Sequence, residues 1–422
     1  MDRTGNYQLD IVKAMSFVRW GGTPEEEKAA KILTDEIEKV GGSYERMPFQ
    51  IPAYECFTCE MAVTEPYEKK IEVVPYGRSG EIEGEYKLLY LERGEAIDYL
   101  GKGDLSDTIV MIDMLSYDAY KMICEKKPAA FITISGKWYQ TPDDSDLMPR
   151  PMRDPFLELG KVPGFMIRAS DAMEMVGKGA TKICAKLKQR EYEATSHDIL
   201  AVIPGTEDGK EDIVLTAHYD SVLFGTGSWD NATGSANLLY LYQYFLKHPT
   251  KRPLRFIWCG SEEQGLLGSK AYVAQNPDLV ERIKFCFNFD MCGTILGSNL
   301  IFITGGDDLK NYAEQYCKEI GWSTAFRTCV HSSDSAPFCD KGIPALGLSR
   351  GTKTAEIHTR YDLESVLSAE KMQEMGEFSA KFIEKVANSA VLPIETGMND
   401  EMKKELDKYF LRDKKKQDEK KD

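Results

Sequence analysis

Five short stretches of this chain carry side chains suited to metal-assisted hydrolysis. In order they are His218-Tyr219-Asp220, Asp230-Asn231, Glu262-Glu263, Asp290 within Phe289-Asp290-Met291, and His358-Thr359. Each follows or ends an apolar run, so each can stand at the end of a buried strand. Two histidines and several carboxylates gathered at one rim suit zinc, and a carboxylate left over beside the metal can serve as a base.

Taken singly, every stretch has an ordinary reading beside the chemical one. His218 follows the apolar run Ile213-Val214-Leu215, and Asp220 lies two residues on. That spacing lets a carboxylate accept the second imidazole proton and fix the tautomer that binds metal, yet strand ends also carry plain hydrogen-bonded histidines. Asp230 sits in a small-residue turn, Gly227-Ser228-Trp229-Asp230-Asn231-Ala232-Thr233-Gly234, that opens a helix. It reads either as an N-cap or as a carboxylate shared by two metals about 3.5–4 Å apart. Adjacent glutamates usually begin a solvated helix, but Glu262 and Glu263 emerge from the apolar run Phe256-Ile257-Trp258-Cys259. Neighbouring side chains diverge, so one can hold metal while the other faces a metal-activated water and takes its proton. Asp290 ends Phe285-Cys286-Phe287-Asn288-Phe289, where an unpaired carboxylate would be costly without a cation or several donors. Their order and common position at strand ends argue against coincidence.

The elements that must position these residues can be read from the spacing. Thr23-Pro24-Glu25-Glu26 has a capping hydroxyl, a proline at the first helical position and a glutamate three residues on. The apolar face Ala29, Leu33, Ile37 and Val40 follows, ending at Gly41-Gly42 and leading to a strand from about Tyr44 to Ile51. Beyond Cys56 the texture becomes β-rich, with short strands at Lys70–Val74, Tyr86–Leu91, Thr108–Ile112 and Ala129–Ile134, one helix at Asp118–Glu125, and an exposed loop from Gln140 to Pro155. From Ile199 a strict α/β rhythm resumes. Strands are expected at Ile213–Thr216, Leu254–Cys259, Ile283–Phe289, Leu300–Ile303 and Ile343–Leu348, and helices at Ala232–Lys247, Gly265–Gln275, Leu309–Ile320 and Ser368–Val386. Such alternation builds an α/β fold, a mixed, mostly parallel sheet sandwiched by helices, whose ligand sites collect at the carboxyl ends of the strands. The boundaries implied are 1–55 and 191–395 for this main domain, 56–190 for an inserted β-rich domain, and 396–422 for a charged C-terminal tail with a disordered end.

Bulk properties narrow the function. A chain of 422 residues favours more than one domain, and a net charge of −15 argues against nucleic-acid or anionic-membrane partners. The N-terminal residues have no signal-peptide core, no 18-residue apolar run occurs, and Cys184, Cys259 and Cys286 lie in apolar runs as reduced thiols do. Cytoplasmic residence is the expectation. Cys56-Phe57-Thr58-Cys59 stands alone, without a second pair, and reads as incidental.

The ordered series His218-Tyr219-Asp220, Asp230-Asn231, Ser261-Glu262-Glu263-Gln264-Gly265-Leu266-Leu267-Gly268-Ser269, Asn288-Phe289-Asp290 and His358-Thr359 resembles the two-zinc aminopeptidase family. Bacterial leucyl and S/Y-type aminopeptidases, glutamate carboxypeptidase and glutaminyl cyclase share that family. The likeness covers the N-terminal helix and everything from Ser196 to about Val386. It implies the zinc exopeptidase fold and two zinc ions per chain, one held by His218, Asp230 and Asp290, the other by Asp230, Glu263 and His358. It also implies Glu262 as general base, Asp220 as the partner of His218, and a cis peptide bond after Asp230. The middle block, with Asp107–Met111 and Pro128–Ile132, resembles a protease-associated domain. One departure stands out: the tyrosine that supports the oxyanion in relatives is missing near His331-Ser332-Ser333-Asp334-Ser335, leaving His331 as a substitute donor or a surface-loop histidine. Trp229, Met291 and Phe338 lie near the motifs, but no pocket residue is assigned. The reading is a zinc exopeptidase, an aminopeptidase acting on short peptides. Carboxypeptidase, glutaminyl cyclase or amidohydrolase chemistry on the same scaffold is the nearest alternative, and a catalytically silent binding protein the remoter one.

Overall fold

The computed structural model describes residues 5–144 and 146–414. Two compact units make up the chain, one from Met1–Ile51 with Thr195–Asp422, the other from Pro52–Ala194.

The first unit is organised by a mixed sheet. From one edge its strands run Thr324–Thr328, Ser298–Thr304, Ala345–Gly351, Ile283–Phe289, Asp212–His218, Leu254–Cys259, then the C-terminal part of the long strand Lys182–Ile203. The four strands from Ala345–Gly351 to Leu254–Cys259 are mutually parallel. Ser298–Thr304 and residues 199–203 pair antiparallel on either side of them.

The central strands are apolar in nearly every position because both faces are covered. Leu215 and Ala217, Phe256 and Trp258, and Phe285, Phe287 and Phe289 join one core layer. Val214, Ile257, Cys259 and Cys286 point the other way into a second. Helices Asn6–Met15, Pro24–Lys39, Thr233–Lys247, Asp307–Ile320 and Ala369–Ala387 close the first layer. Leu267–Gln275, Pro277–Arg282 and Asp400–Tyr409 close the second. Met372, Met375, Phe378 and Phe382 are buried along Ala369–Ala387, the stripe its spacing predicts.

Two local expectations change. Thr23 caps its helix by accepting from the Glu26 amide at 3.3 Å, but the Glu26 carboxylate does not reach back to the cap. It turns inward, accepting from Gly22 N at 2.6 Å and from the Ser196 hydroxyl at 2.7 Å. At the other end, residues 400–409 were expected in the charged tail yet form a helix capped by Asn399. Met398, Met402 and Leu406 explain it: an apolar stripe four residues apart, hidden among lysines and acids, is buried. Residues 415–422, where the disordered end was expected, lie outside the described residues.

The second unit has its own two core layers. Strands Ile82–Tyr90, Thr108–Ile112, Ala130–Ser135 and Gly164–Arg168 are parallel neighbours. Helices Tyr117–Lys126, Asp154–Leu157 and Ala169–Gly177 accompany them, so this block is more helical than its short strands suggest. The stretch from 140 to 155 is not a simple exposed loop, since Leu147, Met148 and Met152 are buried. Among the described residues no helix is long and apolar enough to cross a membrane.

Candidate metal centre

Parallel register brings the candidate ligands to one rim. His218, the last residue of its strand, pairs with Cys259, the last of the next, three residues before Glu262. On the other side Thr216 pairs with Asn288, two residues before Asp290. Asp230 stands in the irregular turn Ser228–Ala232 that feeds helix Thr233–Lys247. His358 lies in the loop beyond Ala345–Gly351, the next parallel strand of the same sheet. The shared rim is therefore a consequence of strand direction and register.

At that rim the side chains form two clusters. One contains His218, Asp230 and Asp290, the other Asp230, Glu263 and His358, and within each the ligand atoms lie within 4.8 Å of one another. Asp230 divides its two oxygens between them. Its Oδ1 lies 3.2 Å from His218 Nε2 and its Oδ2 3.1 Å from His358 Nε2. Asp290 Oδ1 lies 3.6 Å from His218 Nε2, and Glu263 Oε2 3.1 Å from His358 Nε2. Glu262 belongs to neither cluster.

The backbone around these groups is held unusually. The Asp230–Asn231 peptide bond is cis, as the resemblance implies. Asn231 donates to Phe289 O at 2.8 Å and accepts from Met291 N at 3.2 Å, tying the Asp230 turn to the strand end that carries Asp290. Ser261, Met291 and His358 all have positive φ, at 53°, 57° and 59°. Left-handed backbone costs a residue with a Cβ roughly 1–2 kcal/mol, and such residues concentrate where function fixes the geometry.

Asp220 does more than its spacing suggests. Its Oδ1 stands 3.3 Å from His218 Nδ1, an ion-pair distance. Among the described residues this Nδ1 has no hydrogen-bond partner. Its two oxygens instead accept the backbone amides of Glu262 at 3.0 Å and Glu263 at 3.1 Å. One carboxylate thus fixes the turn that presents both glutamates.

The charge balance favours a cation. Asp220, Asp230 and Asp290 are buried beside two histidines, and the Glu263 side chain is 6% exposed. Among the described residues, buried Asp290 Oδ1 and Glu263 Oε1 have no hydrogen-bond partner. Burial pushes the Glu262 carboxyl well above the carboxylate range, with Glu263 adding to the rise against the pull of His218. Burial and the charge of Asp230 push Glu263 up to about 7. Burial alone would depress His218, but Glu262 and the nearby aspartates hold it well above its ordinary value. These protons are what a divalent ion would displace, and the donor set of two imidazoles and three carboxylates fits one.

His331 is not a surface-loop residue. Its ring stacks on Phe302 with centroids 4.0 Å apart, and burial lowers its pKa against the pull of Asp290 and Asp230. Among the described residues its buried Nδ1 has no hydrogen-bond partner. Phe338 and Trp229 are buried in core layers, so neither is a free pocket wall. Sequence reasoning missed Asp362, Arg19 and Asp334, all buried close to the rim. Burial pushes Asp334 up to about 6, while His218 pulls it down. Charged residues inside a core were the available signal, but burial in loops has no periodicity to reveal it.

Residues 198–383 match the model of peptidase family M28. Aminopeptidase YwaD of Bacillus subtilis is 32% identical over 206 residues, which cover 46% of this chain and 45% of that protein. Leupeptin-inactivating enzyme 1 of Streptomyces exfoliatus is 37% identical over 172 residues, 38% of either chain. The chain thus aligns with less than half the length of these curated relatives. In three dimensions the likeness is broader. The structure of BSAP, a zinc aminopeptidase from Bacillus subtilis, superposes with a TM-score of 0.77 at 22% identity, covering 93% of this chain and 98% of that one. The likeness in fold therefore extends well beyond the residues matched in sequence.

Proposed function

We propose that this chain is a zinc-dependent exopeptidase, an aminopeptidase that removes N-terminal residues from short peptides. One observation carries the reading: two three-residue clusters share Asp230 through different oxygens, and Glu262 stands outside both. His218, Asp230 and Asp290 would hold one ion, and Asp230, Glu263 and His358 the second. Zinc bound there would supply an activated water, with its pKa lowered toward about 7, and a Lewis acid for the scissile carbonyl. Glu262 takes the proton of the attacking water and returns it to the leaving amine. Its raised pKa suits a group that must hold that proton in between. We assign His331, whose pKa burial lowers against the pull of Asp290 and Asp230, the role of donor to the developing oxyanion. The acidic surroundings of His358 suit the α-ammonium of a peptide N-terminus. The names of the aminopeptidase relatives support the same choice.

Cysteine chemistry supports a reducing, cytoplasmic setting, because Cys259, Cys286, Cys292, Cys317 and Cys339 are buried single thiols. The test is metal content together with release of N-terminal residues from a panel of aminoacyl amides, with and without chelator. Two zinc ions per chain and chelator-sensitive release are expected. Zinc without amine release would defeat the aminopeptidase assignment, and a protein that takes up no zinc would defeat the metal centre.

A further inference from the structure

Asp362 is 2% exposed and lies four residues beyond His358, in a loop where no spacing argument finds it. Its two carboxylate oxygens accept consecutive backbone amides, Oδ1 from Trp229 at 2.6 Å and Oδ2 from Asp230 at 3.1 Å. Its carbonyl accepts the Thr226 hydroxyl at 2.6 Å, and its amide closes the short turn back to Thr359 O at 3.2 Å. The loop that carries His358 is therefore fastened to the backbone of Asp230 by one side chain. Two ligands 128 residues apart in sequence owe their separation to this fastening.

A buried guanidinium continues the clamp. Arg19 is fully buried and donates to Tyr219 O at 2.6 Å, Thr226 O at 2.5 Å and Gly227 O at 2.7 Å. It joins the residues after His218 to those before Asp230. Gly227, with φ 55°, lies so close that a Cβ there would come within 3.0 Å of Arg19 Nη2. The Asp230 turn is thus gripped from the Asp220 side by Arg19 and from the His358 side by Asp362.

We propose that Asp362 is a positioning residue that sets the Asp230–His358 pair and so tunes the Glu263–His358 half of the centre more than the His218–Asp290 half. It touches neither substrate nor metal and acts through the backbone of Asp230 and the loop of His358. The inference rests on the two-ion reading given above.

Asp362→Asn keeps the volume and one acceptor oxygen but turns an amine toward one of the two backbone amides. Outer-layer changes of this kind cost about 10–100-fold in metal affinity. In calorimetric titration of the metal-free protein with zinc, the parent is expected to take up two equivalents. Asp362→Asn should bind one equivalent within about threefold of the parent and the other about 10–100-fold more weakly. Its metal-free melting temperature should stay close to that of the parent. Parental affinity for both equivalents overturns the inference, and so does equal weakening of both with a lowered melting temperature, which is the signature of a merely structural role. A parent that binds fewer than two equivalents overturns the reading beneath it instead. If the variant does not fold, hydrogen exchange in the metal-free parent decides. Slow exchange at Trp229 and Asp230 supports a clamp that exists before metal arrives, and exchange that slows only on adding zinc overturns it.

Discussion

The two halves of the candidate centre share one aspartate and differ in almost everything else. The His218–Asp290 half grows from the ends of two adjacent parallel strands, and His218 is 1% exposed at its side chain. The Glu263–His358 half is built from loops, and the His358 side chain is 34% exposed. Strand ends inherit their separation from sheet register, so the first half is rigid by construction. The second half needs added fastening, which Asp220 supplies at Glu263 and Asp362 at Asp230 and His358. A loop-borne half can be reached by substrate; a strand-borne half can be kept dry. The division suits a site in which one position is mainly structural and the other meets the substrate.

The largest effect tests what the halves have in common. Glu262→Gln should lower kcat by about 10²–10⁴-fold while zinc content stays at the parental level. Most activity surviving in that variant would remove the general base from the account. The next test separates the halves. His218→Ala leaves buried carboxylates without their counterpart and should cost the metal-free protein about 3–5 kcal/mol in denaturant unfolding. His358→Ala, at the more exposed half, also removes a partner of Asp230 and Glu263 at 3.1 Å, so it should destabilise less than His218→Ala rather than not at all, and retain about half the parental zinc. Equal destabilisation by the two substitutions would erase the distinction.

A smaller effect concerns His331, buried against Phe302. His331→Ala should reduce kcat by about 10²-fold with KM nearly constant, as loss of an oxyanion donor does. A change confined to KM would assign His331 to substrate binding. The smallest effect is read without metal or substrate. Glu26, which accepts from Ser196 and Ser261 behind the Glu262 turn, is pushed up to about 8 by burial and by Asp220. The unfolded chain releases that proton near the ordinary value of 4.5. Its contribution to stability is fully present below that value and is lost as pH rises through about 8. Chelator-treated protein should therefore lose a few kcal/mol of unfolding free energy, in order of magnitude, between pH 5 and pH 8.5. Glu26→Gln should flatten that slope, and an unchanged slope would place the titration elsewhere.

Much of the site was legible because hydrolytic metal chemistry uses few residue types and strands announce themselves by apolar runs. His218, Glu262, Glu263 and Asp290 each stand just past such a run, so the sequence located them as well as named them. Asp230 was legible through its glycine-flanked turn, and His358 only through its place in the ordered series. The inward turn of Glu26 was not legible, because the local pattern is the same whether the carboxylate turns back to the cap or inward. The helix at Asp400–Tyr409 was missed because three apolar residues among many charges make a weak stripe.

The sequence by itself determined which residue types were available, which of them ended strands, and which helix faces had to be covered. Those are local properties, fixed by periodicity and by the cost of leaving apolar surface in water. Only the tertiary structure decided that Asp230 would turn one oxygen to each histidine. It also decided that Asp220 would hold the Glu262 and Glu263 amides, and that Asp362 would reach the amide of a residue 132 positions away. Such partnerships depend on strand register and loop closure between remote segments. A buried carboxylate must find donors wherever the fold brings them.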